Sequence, residues 1–190
     1  MGHSIDPMFG CRPRVILLGS SNAQVQQMVA ELRPVIARHA DIVLEDFQFS
    51  EDLDPVQADL VLVLGGDGSI LRSARQMGTH QRPVLGVNLG KLGFLAALAP
   101  DELVEFLPDV CAGACHVVEH LMLDCFVLRG SQVLHQQLGL NEMAVLGGPP
   151  FAMLDVDLYV DSELATTYSC DGLIISTPVG STAHNLSLIH

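Results

Sequence analysis

Lysine is nearly missing from this 190-residue chain. Lys91 is the single one, and Lys and Arg together number 9 against 22 Asp and Glu. The formal net charge of −13 would repel a phosphate backbone, which argues against nucleic acid as a partner. It argues equally against an anionic membrane surface. Charge of either sign is scarce, at 16% of residues against about 25% in an average domain. Hydrophobic residues make up 49%. Either much apolar surface is buried between subunits, or the chain lacks part of its natural partner surface. No apolar run reaches the ~18–20 residues of a membrane span. The segment from Met1 to Arg14 has no apolar stretch of the kind a signal peptide needs. Five cysteines, at Cys11, Cys111, Cys115, Cys125 and Cys170, are odd in number and irregular in spacing. The simplest expectation is reduced thiols in the cytoplasm.

Two common nucleotide motifs are also missing. A phosphate-binding loop of the form G-x-x-x-x-G-K-[ST] needs Lys before a hydroxyl residue, and Lys91 is followed by Leu92. The dinucleotide fingerprint G-x-G-x-x-G fails because Leu71 stands where its third glycine belongs. An ordinary P-loop enzyme and an ordinary dehydrogenase are thereby excluded.

The pattern that remains is ordered. Arg14 to Gly19 reads as a buried strand and Ala23 to His39 as an amphipathic helix capped by Ser21 or Asn22, with Pro34 predicting a kink or an early stop. Asp41 to Leu44 and Asp59 to Leu64 read as strands, Ser69 to Met77 as a helix, Pro83 to Val87 as a strand. Asp101 is placed to cap a short helix ending near Pro108. This β-α-β order implies a mostly parallel sheet with helices on its faces. Beyond it, His116–Arg129, Gln132–Leu138, Asn141–Leu146, Met153–Val160, Glu163–Tyr168 and Leu173–Ser176 read as strands with short turns. Gly180 to Leu188 should begin a helix.

The strongest chemical signal is Gly65-Gly66-Asp67-Gly68-Ser69, lying after a buried strand and before a helix. Glycines let a backbone approach a phosphate or ribose closely, and a helix N-terminus offers free N–H groups and a positive dipole end. An acid beside such a cradle opposes an anion unless it orients or deprotonates a hydroxyl, or holds Mg²⁺. The plain alternative is a tight strand–helix turn with an N-cap Asp. A second signal runs from Asp171 through Thr177-Pro-Val-Gly-Ser-Thr182 to Ser187, with hydroxyls near a helix start. A third, Asn141-Glu142, can hydrogen-bond ribose hydroxyls or a base edge, though alone it is no more than a turn.

In this order the motifs resemble the NAD kinase family, together with Asn88-Leu-Gly-Lys-Leu-Gly-Phe-Leu95. The run from Asp171 through Thr177-Pro-Val-Gly-Ser-Thr182 to Ala183 is specific, whereas the GGDG loop is shared with diacylglycerol-kinase-like and phosphofructokinase-like enzymes. The resemblance implies an α/β fold: a Rossmann-like, mostly parallel domain over residues 8–108, then a β-rich, β-sandwich-like domain over 109–190 that is incomplete here. It implies phosphorylation of the adenosine-ribose 2′-hydroxyl of NAD to give NADP, with ATP or polyphosphate as donor and Mg²⁺ or Mn²⁺. Asp67 would be the catalytic base. Gly66, Gly68, Arg72, Phe94, Asn141, Glu142, Asp171, Thr182, Ala183, His184 and Ser187 would bind the nucleotides. A homodimer or homotetramer is implied, with Asp171 acting across a subunit interface. The alternatives are a non-catalytic dinucleotide-binding remnant and a lipid kinase sharing only the GGDG loop; the Thr-Pro-Val-Gly-Ser-Thr run argues against the second.

Several positions depart from the family pattern. Ser69 stands for Thr, Val179 for a hydroxyl residue and His184 for Tyr, and Leu188-Ile-His190 does not continue the match. Cys111, Cys115, His116 and His120 have a zinc-like spacing. On a strand, however, the two histidines would lie about 13 Å apart, so no metal ligands are expected.

Overall fold

The computed structural model describes residues 12–90, 93–96, 98–149 and 152–182. The chain divides into two compact units at Glu119/His120. The helix α3 (Pro100–Cys111) belongs to the first and buries Leu103, Leu107 and Cys111 along one stripe. Asp101 does not cap it: the Glu102 carboxylate accepts the Ala99 N–H at 2.7 Å instead.

In the first unit, β1 (Arg14–Gly19), β2 (Asp41–Asp46), β3 (Leu60–Leu64) and β4 (Val84–Val87) form one parallel sheet in the order β2-β1-β3-β4. All five residues of β3 are buried, the continuous apolar run of a strand covered on both faces. On one face Val15, Leu17, Leu60, Leu62 and Leu64 pack with Val25, Val29, Leu32 and Ile36 of α1 (Ala23–His39) and with Leu103 and Leu107 of α3. Alternation turns Ile16, Leu18, Val61 and Val63 to the opposite face, where α2 (Asp67–Gln76) contacts β1, β3 and β4. Each such side chain contributes about 1.5–3 kcal/mol of burial.

Asn22 caps α1, its Oδ1 accepting the Val25 N–H at 2.9 Å. The early stop expected at Pro34 does not occur. Buried side chains lie on both sides of it, Leu32 before and Ile36 after, and this packing outweighs one lost hydrogen bond. The far end is closed by Arg12, whose guanidinium donates to the carbonyls of Ala37, Arg38 and Ala40 and to Asp41, a cation at the negative end of the helix.

The second unit holds three antiparallel pairs. β5 (Leu123–Arg129) pairs with β6 (Gln132–Gly139), β7 (Glu142–Leu146) with β10 (Gly172–Ser176), and β8 (Leu154–Val160) with β9 (Glu163–Cys170). The strand expected from His116 starts only at Leu123. Asp161 (φ 50°) and Ser162 (φ 70°) form the two-residue turn between β8 and β9, the left-handed geometry that suits a tight hairpin. Among the described residues, the apolar core side chains all lie in the first unit. No helix in the described residues is long and apolar enough to cross a membrane.

Candidate active site

The Gly65–Ser69 turn joins β3 to α2 at the carboxyl edge of the sheet. Gly66 is the N-cap residue in an extended conformation, and no side chain caps the helix. Asp67 is therefore not the cap that a plain turn would make it. It occupies the first helical position and directs its carboxylate to the loop after β4. Oδ2 accepts the Phe94 N–H at 2.9 Å, and Oδ1 accepts those of Leu95 at 3.0 Å and Ala96 at 3.1 Å. Burial pushes the carboxyl up, but the three main-chain donors together outweigh it and hold Asp67 below the usual carboxylate range.

This contact needs Gly93. A Cβ there would lie 2.2 Å from Asp67 Oδ1, so the carboxylate occupies the place of a side chain. Gly93 had no role assigned from sequence; the only signal was its position within the Asn88–Leu95 segment. Gly66 and Gly68, both expected to meet ligand, are exposed. A Cβ on either would meet nothing within 4 Å, so this side of the loop is open.

A cavity of about 250 Å³ adjoins the turn, lined among others by Ser20, Asn22, Gly65, Gly66, Ser69 and Asn88. It sits where β1 and β3 are neighbours and their connections leave in opposite directions, the place where open α/β sheets bind ligands. The N-termini of α1 and α2 both reach it, and among the described residues no Lys or Arg lines it. Ser20 and Asn88 were not singled out from sequence, because nothing but their place at strand ends marks them. Phe94 is 79% exposed, an apolar ring left uncovered beside Asp67. Arg72 turns elsewhere. Its guanidinium lies 4.4 Å over the Phe49 ring and one nitrogen is 3.5 Å from the Gln48 carbonyl, both in the loop after β2.

In the second unit, Asn141 and Glu142 open β7. Asn141 Oδ1 and Glu142 Oε2 are buried acceptors with no hydrogen-bond partner, which leaves them available to a ligand with donor groups. The Thr177-Pro-Val-Gly180 turn folds over this pair: the Thr177 hydroxyl donates to the Leu140 and Asn141 carbonyls, and its main-chain N–H to Asn141 as well. A Cβ on Gly180 would lie 1.9 Å from the Asn141 carbonyl oxygen, so only glycine allows the approach. Asp171 is exposed just before β10. Thr182 ends a single 3-10 turn, Gly180–Thr182, where a helix was expected to start. Ala183, His184 and Ser187 lie outside the described residues. Among the described residues no three His, Cys, Asp or Glu side chains gather to hold a metal ion, and Cys111, Cys115, Cys125 and Cys170 are free thiols.

Known proteins bear on these features. Residues 14–115 match the family model described as the ATP-NAD kinase N-terminal domain, and residues 140–188 that of the ATP-NAD kinase C-terminal domain. The NAD kinase of Rhodopirellula baltica is 54% identical over 179 residues, covering 94% of this chain and 58% of that protein. That of Methylococcus capsulatus is 40% identical over 131 residues, 69% of this chain and 45% of that protein. The chain thus spans about half the length of these curated relatives. Among solved structures, an Archaeoglobus fulgidus NAD kinase in complex with ATP superposes with a TM-score of 0.71 at 28% identity, covering 92% of this chain and 64% of that one. Yeast NADH kinase complexed with NADH gives a TM-score of 0.76 at 22% identity over 94% of this chain and 61% of that one, a likeness of fold. With the N-terminal family model alone spanning more than half of its residues, this chain belongs to the NAD kinase family.

Proposed function

We propose that the chain transfers a phosphoryl group from ATP or polyphosphate to the 2′-hydroxyl of the adenosine ribose of NAD, forming NADP. The observation that carries this reading is Asp67: a charged carboxylate, oriented by three main-chain donors, beside a cavity at two helix N-termini. Oδ1 already accepts two hydrogen bonds and Oδ2 one. A carboxylate oxygen has two lone-pair sites, so Oδ2 is the atom left to accept a substrate hydroxyl. As that O–H breaks, its proton passes to Oδ2, the electron pair stays on the ribose oxygen, and this oxygen bonds to the phosphorus as the donor's bridging P–O bond breaks. Main-chain N–H groups at the helix starts favour the phosphates. Phe94 supplies an apolar wall, and Asn141 Oδ1 and Glu142 Oε2 accept hydrogen bonds from the dinucleotide. Gly66, Gly68, Arg72, Asp171, Thr182, Ala183, His184 and Ser187 belong to the same reading through the family pattern.

The described side chains do not make a resident metal cage, since Asp67 is engaged by main-chain donors and no acidic cluster stands beside it. Mg²⁺ or Mn²⁺ would enter with the donor phosphates, where it would offset their negative charge. The reading extends to a cytoplasmic homo-oligomer, supported by the free thiols and by the family.

One observation favours a second reading, a dinucleotide-binding module without turnover: a carboxylate held below its usual range is a weak base. Incubation with NAD, ATP and Mg²⁺ separates the two. NADP detected by chromatography with the wild type, and lost by at least about 100-fold in Asp67→Asn, supports the kinase. NAD binding without NADP supports the second reading.

A further inference from the structure

In the described residues of the loop after β4, it is the backbone that reaches Asp67. Three successive N–H groups, at Phe94, Leu95 and Ala96, converge on one carboxylate. Such convergence needs that loop to pass close over the carboxyl group, and it does so at Gly93, where a Cβ would lie 2.2, 2.6 and 2.7 Å from Oδ1, Cγ and Oδ2. All three distances are far inside contact distance, and the atoms are those of a short side chain held at the start of a helix. They cannot swing away as the end of a long side chain can. None of the ion pairs among the described residues involves Asp67; the contacts its carboxylate makes among them are those of this backbone strap.

We propose that Gly93 is a positioning residue of the phosphotransfer site: by lacking a side chain it lets the 93–96 strap grip Asp67 and leaves one lone pair of Oδ2 for the substrate hydroxyl. The inference rests on the kinase reading for its catalytic part. The strap itself does not depend on it. A methyl group at residue 93 would push the loop and the carboxylate apart, free the N–H groups of residues 94–96 and let Asp67 rotate. The wall formed by Phe94 would move with the strap, since the same residue carries the N–H bonded to Oδ2.

The test uses ¹³C-aspartate-labelled full chain, with Asp67→Asn identifying the Asp67 carboxyl resonance. In the wild type its titration midpoint should lie below that of an ordinary aspartate, and the amide signals of Phe94, Leu95 and Ala96 should shift with the same midpoint. In Gly93→Ala the Asp67 midpoint should rise toward the ordinary value and the three amides should cease to follow it. Gly90→Ala is the control for the titration: it lies in the same loop, and its Cβ would meet nothing closer than 3.9 Å. It should leave the midpoint in place. In the NADP assay, Gly93→Ala should lower kcat by about 10- to 100-fold, the order expected for a misplaced catalytic group, with a smaller rise in KM for NAD as the Phe94 wall shifts. An unmoved Asp67 midpoint in Gly93→Ala overturns the proposal, and so does an unchanged kcat. If the wild type forms no NADP, the kinase reading is what fails, and the midpoint alone decides the strap.

Discussion

Three aspartates of the first unit hold main chain rather than solvent. Asp67 binds the N–H groups of residues 94–96, and Asp59 accepts the Arg14 N–H at 2.7 Å and its guanidinium. Asp46, at the end of β2 and 4% exposed, accepts the N–H groups of Gln48, Ser50 and Glu51 and the Gln76 amide. In Asp46 burial pushes the carboxyl up, yet the four donors together bring it below its usual range. In Asp59 the Arg14 guanidinium is the main cause of a shift in the same direction. A carboxyl whose folded pKa lies below its unfolded value, about 3.9, binds protons more readily in the unfolded chain. Its stabilisation is therefore complete above that value and fades as pH falls through the folded pKa. The chain should lose stability in acid below about pH 4, through these three groups together. Asp46→Asn keeps the size but turns an NH₂ toward donors. It should cost about 2–3 kcal/mol at neutral pH, read from urea midpoints, and flatten the acid limb of the stability–pH curve. An acid limb identical to that of the wild type would show that folding does not lower the pKa of Asp46.

At the scale of the element, α1 shows what sequence pattern can and cannot say. Its apolar spacing, a cap at Ser21 or Asn22 and its end at His39 were all legible, because a 3.6-residue period and a capping side chain are written in letters; the structure chooses Asn22. Pro34 was read as a kink or a stop, since a helix loses a hydrogen bond there. The burial of Leu32 and Ile36 on either side outweighs that loss, and burial depends on partners far away in sequence. The same limit explains the site. Asp67 stood out because an acid beside glycines is chemically odd. Its partners did not, because main-chain N–H groups belong to every residue, and only the fold brings Phe94, Leu95 and Ala96 to it. The pair Asn141-Glu142 gained content only when their oxygens proved buried and unpartnered. Pro34 itself is exposed, so replacing it removes little packing. Pro34→Ala should restore the missing bond and raise stability by about 1–3 kcal/mol, measured as a higher urea midpoint. A lower midpoint would mean that the proline is positioned by contacts beyond the helix.

At the scale of the whole molecule, the two units differ in what holds them. The first has a parallel sheet whose β1 and β3 side chains are buried between α1 and α3 on one face and α2 on the other. The apolar core side chains of the described residues are all there. The second is built of two-stranded pairs, and its large side chains are exposed: Phe126, Val127 and Leu128 on β5, Val145 and Leu146 on β7, Tyr159 and Val160 on β8. A two-stranded pair is at best marginally stable in water without a third strand or a packed face. The scarcity of charge and the abundance of apolar residues that stood out in the composition thus have a location: much of that apolar surface is uncovered on the second unit. Local stability should follow this division, because amide exchange reports opening free energies that rise with buried apolar contact. Hydrogen–deuterium exchange should therefore find the amides of β1 and β3 slow, exchanging near the global unfolding limit. Those of β5–β6 and β8–β9 should exchange at least about 100-fold faster, since about 2.7 kcal/mol of lost protection suffices for that ratio. Chain concentration then distinguishes the source of any protection seen in those hairpins. Protection that grows with concentration would mean that association covers the exposed faces. Protection equal to that of β3 at high dilution would contradict the division, and would place the missing apolar cover within the chain itself.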